Sequence, residues 1–422
     1  MMAWLKMGMR NLVKNGRRSL ITALAIALAF ATVNLFSGFA TYMHKGNQNV
    51  AIYAMQQGHL AIFAKGFQDR GRQQAGKSLL SAKEIETIQA ICARHRDVEL
   101  VTPQLYITGL LSNGRISTIF VAQGVVPSAG LVFMTHLKDM ATSKSDQLIR
   151  ERFEGQPLRD DKPSGVAVSR GLAKLLDLKV GGSAVAMGNT EEGRMNALDA
   201  DVTMLFDAGS EQINDKFMLV PFAFAQSLYD TQGADRLAVL LRDAKRTDTM
   251  REELLREIAA AGIAVEIKTW VEMSEWYRKV KSMFDTIFRF LFAIVFVIVV
   301  MSVVNTMGMA VMERTREIGT LRSLGLKRRG VLQLFAVESA LLGVIGSVAG
   351  VVLTFTGWGL VKILKPTWTP PGISSRFVIW IEWVPHTLVF SFVFLVALCL
   401  LASLIPARRA ARQNIVDSLG HV

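Results

Sequence analysis

Two stretches of this 422-residue chain carry residue types at spacings that could do chemistry. The first, Gly71-Arg72-Gln73-Gln74-Ala75-Gly76-Lys77-Ser78, satisfies the glycine-lysine-serine pattern of a phosphate-cradling loop, and Val202 to Phe206 followed by Asp207 resembles its usual metal-side strand. That chemistry requires a buried strand just before the first glycine and a helix that opens at the lysine. Here Gly71 lies seven positions beyond the strand-like Ala64, and Ser81 with Glu84 forms a capping box that starts the helix after the lysine. The nucleotide site is therefore rejected. The histidines His44, His59, His95, His136, His386 and His421 show no metal-ligand spacing, and no GxSxG elbow occurs, so neither catalysis nor a cofactor is expected on this chain.

The second stretch is Glu313-Arg314-Thr315-Arg316-Glu317-Ile318-Gly319, followed by Leu321-Arg322 and Leu324-Gly325. On a helix, Met307, Val311, Ile318 and Leu321 share one face and Glu313 and Arg316 lie opposite, while Arg314 is spaced to pair with Glu317. A helix with one apolar and one charged face can dock and be pulled; it has no group that breaks bonds. Glu338 follows, seven positions into the next apolar run, where a carboxylate at the bilayer centre would cost about 2.5–3.5 kcal/mol. A shallower position is expected, with Glu338 either docking the charged helix or reaching the interface.

These residues are set between apolar segments. With 51% hydrophobic residues and a mean hydropathy of +0.31, the chain is too apolar for an ordinary soluble protein. Four runs reach the roughly 20 residues a span needs: Leu20 to Met43, Phe284 to Met307, Val331 to Val361 and Thr387 to Leu404. The net charge of +13 would suit a nucleic-acid surface, but its location excludes one. Lys6, Arg10, Lys14, Arg17 and Arg18 precede the first run, and six basic residues face two acidic ones between Gly308 and Leu334. Segment 44–283 is nearly neutral, with 30 basic and 29 acidic residues. The positive-inside rule then puts both termini and the 308–330 segment in the cytoplasm.

The resulting map is a cytoplasmic amphipathic helix (1–18), a first span retained as a signal anchor (19–43), an extracytoplasmic α+β domain in two lobes (44–283) and a second span (284–307). A charged helix and turn (308–330), a third span (331–361), an outer loop (362–386), a fourth span (387–405) and a cytoplasmic tail (406–422) complete it. Within the third span Gly343, Gly346 and Gly350 let helix backbones approach closely. Trp358, Trp368, Trp380 and Trp383, with Pro370, Pro371 and Gly372 in the outer loop, read as an interfacial belt. In the outer domain, strands are expected at His59–Ala64, Val98–Leu111, Ile116–Val125, Gly165–Val168, Ser183–Met187, Val202–Phe206, Phe217–Val220 and Leu237–Leu241. Asn113-Gly114 turns a hairpin, and helices fall at 81–94, 170–176, 222–229 and 247–261. From Thr269 the chain is expected to run as one stiff helix into the second span. Cys92 and Cys399 are placed too far apart to pair.

The charged segment, the entry Met9-Arg10-Asn11-Leu12 with Arg17-Arg18, the strand Gly58-His59-Leu60-Ala61-Ile62 and the exit Pro406-Ala407-Arg408-Arg409-Ala410-Ala411-Arg412 together resemble permeases of the MacB/FtsX/LolC superfamily of ATP-binding-cassette transporters (type VII), in its lipoprotein-releasing branch. The resemblance implies four transmembrane α-helices with a large α+β domain inserted between helices 1 and 2, in a bacterial inner membrane. It implies a cytoplasmic ATPase dimer carrying ATP and magnesium, a second permease subunit, identical or not, membrane lipid, and a periplasmic lipoprotein or lipid acceptor. Glu313, Arg314, Arg316, Glu317, Ile318, Gly319, Leu321, Arg322, Gly325 and Glu338 are then the ATPase-coupling residues, and force passes through them to the outer domain. MacB itself differs in carrying its ATPase on the same chain. An FtsX-like subunit that regulates a periplasmic enzyme without transport is the alternative, although FtsX has a much smaller outer domain.

Overall fold

The computed structural model describes residues 2–67, 79–140, 153–369 and 377–412, so the Gly71–Ser78 motif, Pro370, Pro371, Gly372 and the end of the tail lie outside the described residues. The chain divides into a helical unit (1–44, 280–366, 379–422) and a sheet unit (45–279, 367–378).

The helical unit is built from α1 (Met2–Lys14), α2 (Gly16–Asn49), α3 (Glu275–Glu313), α4 (Thr315–Ser323), α5 (Arg328–Leu364) and α6 (Pro385–Arg412). Among the described residues four helices, α2, α3, α5 and α6, are long and apolar enough to cross a membrane. Their shared core runs from Ile26, Phe30 and Val33 through Val299, Val303 and Met307 to Phe335, Leu342, Leu395 and Cys399. Lipid supplies no hydrophobic drive between helices, so close approach at small residues does the work. A Cβ at Gly343 would lie 3.2 Å from Cys399; at Gly346 and Gly350 it would come within 2.7 Å of Ile26 and 2.6 Å of Phe30. These glycines thus set the distances from α5 to α6 and α2. Asn34 adds a buried polar tie, donating to Ser391 Oγ at 2.8 Å. The indoles of Trp358 and Trp383 are 6.1 Å apart, and Trp358 Nε1 donates to the Ile381 carbonyl.

The sheet unit is α+β. Its strands are β1 (Leu60–Ala64), β2 (Val98–Ser112), β3 (Ser117–Val125), β4 (Phe153–Gly155), β5 (Gly165–Ser169), β6 (Ser183–Asn189), β7 (Met195–Phe206), β8 (Phe217–Pro221), β9 (Arg236–Leu241) and β10 (Val265–Thr269). They form one sheet in the order β10-β1-β9-β2-β3-β8-β5-β7-β4, with β6 bridging β2 and β7. Only β3–β8 and β5–β7 pair in parallel among the described strands. Two large apolar clusters cover the sheet, one around Leu105, Phe120 and Val168 and one around Ile62, Ile88 and Leu254, with Phe222 packed against both. Two lobes were expected; a single sheet with two clusters is found. Local signals act as chemistry dictates: Asn113 Oδ1 accepts from the amides of Arg115 and Ile116 beside Gly114 at φ +84°, and Ser81 with Glu84 closes its capping box. Cys92 and Cys399 are both free and buried, and burial pushes the Cys92 thiol up to about 12.

The helix expected to run without interruption from Thr269 is broken. Thr269 and Glu272 cap a single turn, Trp270–Met273, and Ser274 leaves helical geometry at ψ 81° before α3 begins.

Candidate functional site

The charged segment departs from one continuous helix at a single residue. Arg314, with φ −114° and ψ 17°, ends α3 and precedes α4, and it is 7% exposed. A guanidinium cannot stay buried without partners, so the break exists where the side chain can find them. Its Nη1 lies 3.5 Å from Glu338 Oε2, and its Nη2 donates to the Asn11 carbonyl of α1 at 3.3 Å. Glu338 is 2% exposed, and the Asn11 side chain is hydrogen-bonded to it. Neither Arg314 Nη1 nor Glu338 Oε2 has another partner among the described residues, so each is held by the other's charge alone. The pairing of Arg314 with Glu317 expected from spacing is replaced by this longer-range one, and of the two roles expected for Glu338, contact with the charged segment is the one its side chain makes. Arg314 makes this contact at the break between α3 and α4.

Glu313 and Glu317 face α1 and the start of α2. Glu313 is hydrogen-bonded to Arg18, and Glu317 lies 3.6 Å from Lys14. Both pairs are exposed, and each is worth no more than about 1 kcal/mol. Ile318 and Gly319 are buried with Val311, Leu321 and Arg322 are half-buried, and Arg316 stands on the wet face. The end of α4 is a Schellman turn: Leu326 N–H donates to Leu321 and Gly325 N–H to Arg322, with Gly325 at φ +100°. Leu324, at the end of α4, is 80% exposed, and Arg316, Lys327, Arg328 and Arg329 are exposed too.

The site thus has a fastened side and a presented side. Arg314, Glu338 and Asn11 tie the α3–α4 break to α5 and α1; Leu324 and the exposed cations of the same segment make up the presented side. Sequence reasoning did not include Asn11, Lys14, Arg18 or Leu324 in the site. Lys14 and Arg18 were signalled by the basic character of residues 1–18 against the acids Glu313 and Glu317, and Asn11 by nothing separable. Leu324 gave no separable signal, because an apolar residue next to a helix-ending glycine is ordinarily packed. Gly343, Gly346 and Gly350 lie along α5 among packing contacts and not with the charged group. No grouping of three metal-ligating side chains occurs among the described residues.

Comparison with known proteins gives the context. Residues 19–257 match the MacB-like periplasmic core domain, and residues 289–415 match the FtsX-like permease C-terminal region. The chain is 24% identical over 314 residues to the lipoprotein-releasing system transmembrane protein LolC of Neisseria meningitidis serogroup B, covering 70% of this chain and 72% of that one. To the LolC of Xylella fastidiosa (strain Temecula1) it is 25% identical over 276 residues, 60% of this chain and 64% of the relative. Among solved structures, the periplasmic region of MacB from Actinobacillus actinomycetemcomitans covers 52% of this chain and 92% of its own, with 13% identity and a TM-score of 0.35.

Proposed function

Because this chain belongs to the family of ABC transporter permeases that join a MacB-like periplasmic core domain to an FtsX-like permease region, we propose that it converts ATP hydrolysis on a separate cytoplasmic ATPase into movement of its sheet unit. That movement extracts or expels a lipoprotein, lipid or other hydrophobic substrate on the periplasmic side of the inner membrane. The observation that carries this reading is the two-sided geometry of residues 313–329. An exposed Leu324 in a segment that also exposes Arg316, Lys327, Arg328 and Arg329 is suited to an apolar notch with an acidic rim on the ATPase, and the buried Arg314–Glu338 pair stops this segment from swinging independently of α3 and α5. Load applied to α4 is then carried by α3, a 39-residue helix of about 58 Å at 1.5 Å per residue. Two permease chains would pair over two ATPase copies. Both termini and α4 lie on the cytoplasmic side in this scheme, supported by Lys6, Arg10, Lys14, Arg17 and Arg18 before α2 and by Arg408, Arg409 and Arg412 at the end of α6.

Leu324→Asp should weaken association with the native ATPase about tenfold or more, as loss of a central apolar anchor does, measured by co-purification and by titration of the ATPase onto the permease in nanodiscs. Replacing Glu317 or Arg322 should leave ATP hydrolysis running while release of lipid or lipoprotein from proteoliposomes falls. Full association in the first variant together with full transport in the other two would overturn the assignment.

A further inference from the structure

Two of the connections between the sheet unit and the helical unit, those following α2 and preceding α3, meet the sheet at one corner. Leu60, which starts β1, pairs with Thr269, which ends β10, so the chain arriving from α2 and the chain leaving for α3 attach to adjacent strands at the same end. The arriving connection is conformationally demanding. A π-helical turn, Val50–Ala54, is followed by Gln56 at φ +51° and Gly58 at φ +68°, and a Cβ on Gly58 would lie 2.5 Å from the Val239 carbonyl oxygen. A non-glycine residue in the left-handed region costs of order 1 kcal/mol and persists only where its surroundings determine it.

Those surroundings are a buried polar knot contributed by three strands. Gln104 of β2 donates from Nε2 to the Gln56 carbonyl at 2.6 Å, and Gln123 of β3 donates to the Met55 carbonyl at 3.4 Å. Gln104 Oε1 accepts from Gln123 Nε2 at 3.1 Å and from Arg236 Nε of β9 at 2.9 Å. Arg236 also donates to Tyr106 Oη at 3.1 Å, and its Nη1 lies 4.0 Å from Met273 Sδ, in the single helical turn before α3. Gln104, Gln123 and Arg236 are all more than nine-tenths buried, and among the described residues none forms an ion pair. A buried polar network whose members are hydrogen-bonded rigidifies what it touches, and here three strands place amides and a guanidinium against residues 55, 56 and 273.

We propose that Arg236, Gln104 and Gln123 are positioning residues that clamp both connections to the sheet, so that displacement of the membrane helices is delivered to the strands and not absorbed in the turns at residues 55–58 and 270–274. This rests on the mechanical reading above. Gln104→Glu separates the roles. The carboxylate still accepts from Arg236, now as a charge-assisted pair that preserves the fold, but it can no longer donate to the Gln56 carbonyl, so the arriving connection is released.

The test is hydrogen exchange of the β1 and β10 amides in the full permease with its ATPase in nanodiscs, nucleotide-free and with ATP and vanadate, alongside thermal unfolding and ATPase rate. In the wild type, trapping should shift exchange of Leu60–Ala64 and Val265–Thr269 by about tenfold. Gln104→Glu should abolish that shift with hydrolysis and unfolding temperature retained, and Arg236→Lys should keep part of it. An unaltered shift in Gln104→Glu overturns the clamp. No shift in the wild type overturns the mechanical reading itself.

Discussion

Arg314 in the helical unit and Arg236 in the sheet unit are both buried guanidiniums beside an interruption in helical structure, and they are stabilised in opposite ways. Arg314 faces one carboxylate, Glu338, at 3.5 Å, where charge is balanced by charge. Arg236 is met by the neutral oxygens of Gln104 and Tyr106 and stacks over the Tyr106 ring at 5.1 Å, so its charge is spread over dipoles. A paired charge depends on its counter-ion, and removing either member leaves an uncompensated ion. A charge distributed over amides loses one hydrogen bond at a time. The first arrangement suits a rigid fastening, the second a joint that must grip two separate segments.

The largest effect should come from breaking the charge pair. Glu338→Ala is expected to destabilise the helical unit by about 3–5 kcal/mol, because Arg314 stays buried without its counter-ion, whereas Arg314→Met with Glu338→Met together should cost far less. Thermal unfolding of the wild type, Arg314→Met, Glu338→Met and the double variant in one detergent, with Glu338→Ala alongside, closes the cycle. A loss at Glu338→Ala no greater than at Arg236→Gln, where neutral groups left unsatisfied cost about 1–3 kcal/mol, would erase the distinction.

Acidification should separate the two regions next. His59 sits at the sheet corner with Nδ1 accepting from Leu241 N–H at 3.0 Å, so its ring is neutral in the fold. Burial lowers it to about 4, the nearby His136 pushes the same way, and Glu99 and Asp243 oppose them. The unfolded chain therefore binds more protons than the fold between about pH 6.5 and 4. Stability is unaffected above 6.5 and falls by about 3 kcal/mol as pH drops through that window. Unfolding of the sheet unit followed against pH should show the loss, and His59→Gln, which can accept from Leu241 but cannot charge, should remove most of it. A wild-type curve that stays flat from pH 7 to 4.5 would refute the assignment.

The contrast between the two arginines also explains what could be read from the chain beforehand. The Asn113-Gly114 hairpin, the capping box at Ser81 and the four apolar helices are local signals, and periodicity finds them. Gln104, Gln123 and Arg236 are polar residues inside strands, which alternation assigns to the wet face, and their partners at residues 55, 56 and 273 lie far from them in the sequence. The same holds for Glu338, whose partner Asn11 is more than 300 positions away. The strand Val265–Thr269 alternates correctly, but without its partner β1 it is indistinguishable from the start of a helix. The short β4 and the helix Pro127–Met140 were likewise not anticipated. The charged segment stands out because the order of its residues is a pattern; the burial of Arg314 and Glu338 does not, since a one-residue break in the helix leaves that pattern unaltered.

Two glycines extend the contrast to smaller energies. At Gly346, Ile26 Cβ would lie 2.7 Å and the Ala23 carbonyl 3.0 Å from a new Cβ, so Gly346→Ala should cost about 1–3 kcal/mol by forcing α2 and α5 apart. At Gly325 nothing lies within 4 Å of a new Cβ, and the only penalty is the left-handed backbone at φ +100°. Gly325→Ala should therefore cost about 1 kcal/mol. That small strain falls on the turn that presents Leu324, and it is relieved most cheaply by fraying the last turn of α4. The expected signature is a nearly unchanged unfolding temperature together with weaker binding of the ATPase, the reverse of Gly346→Ala. Equal losses of stability in both variants would mean that the Schellman turn is part of the packed bundle and not a separately deformable tip.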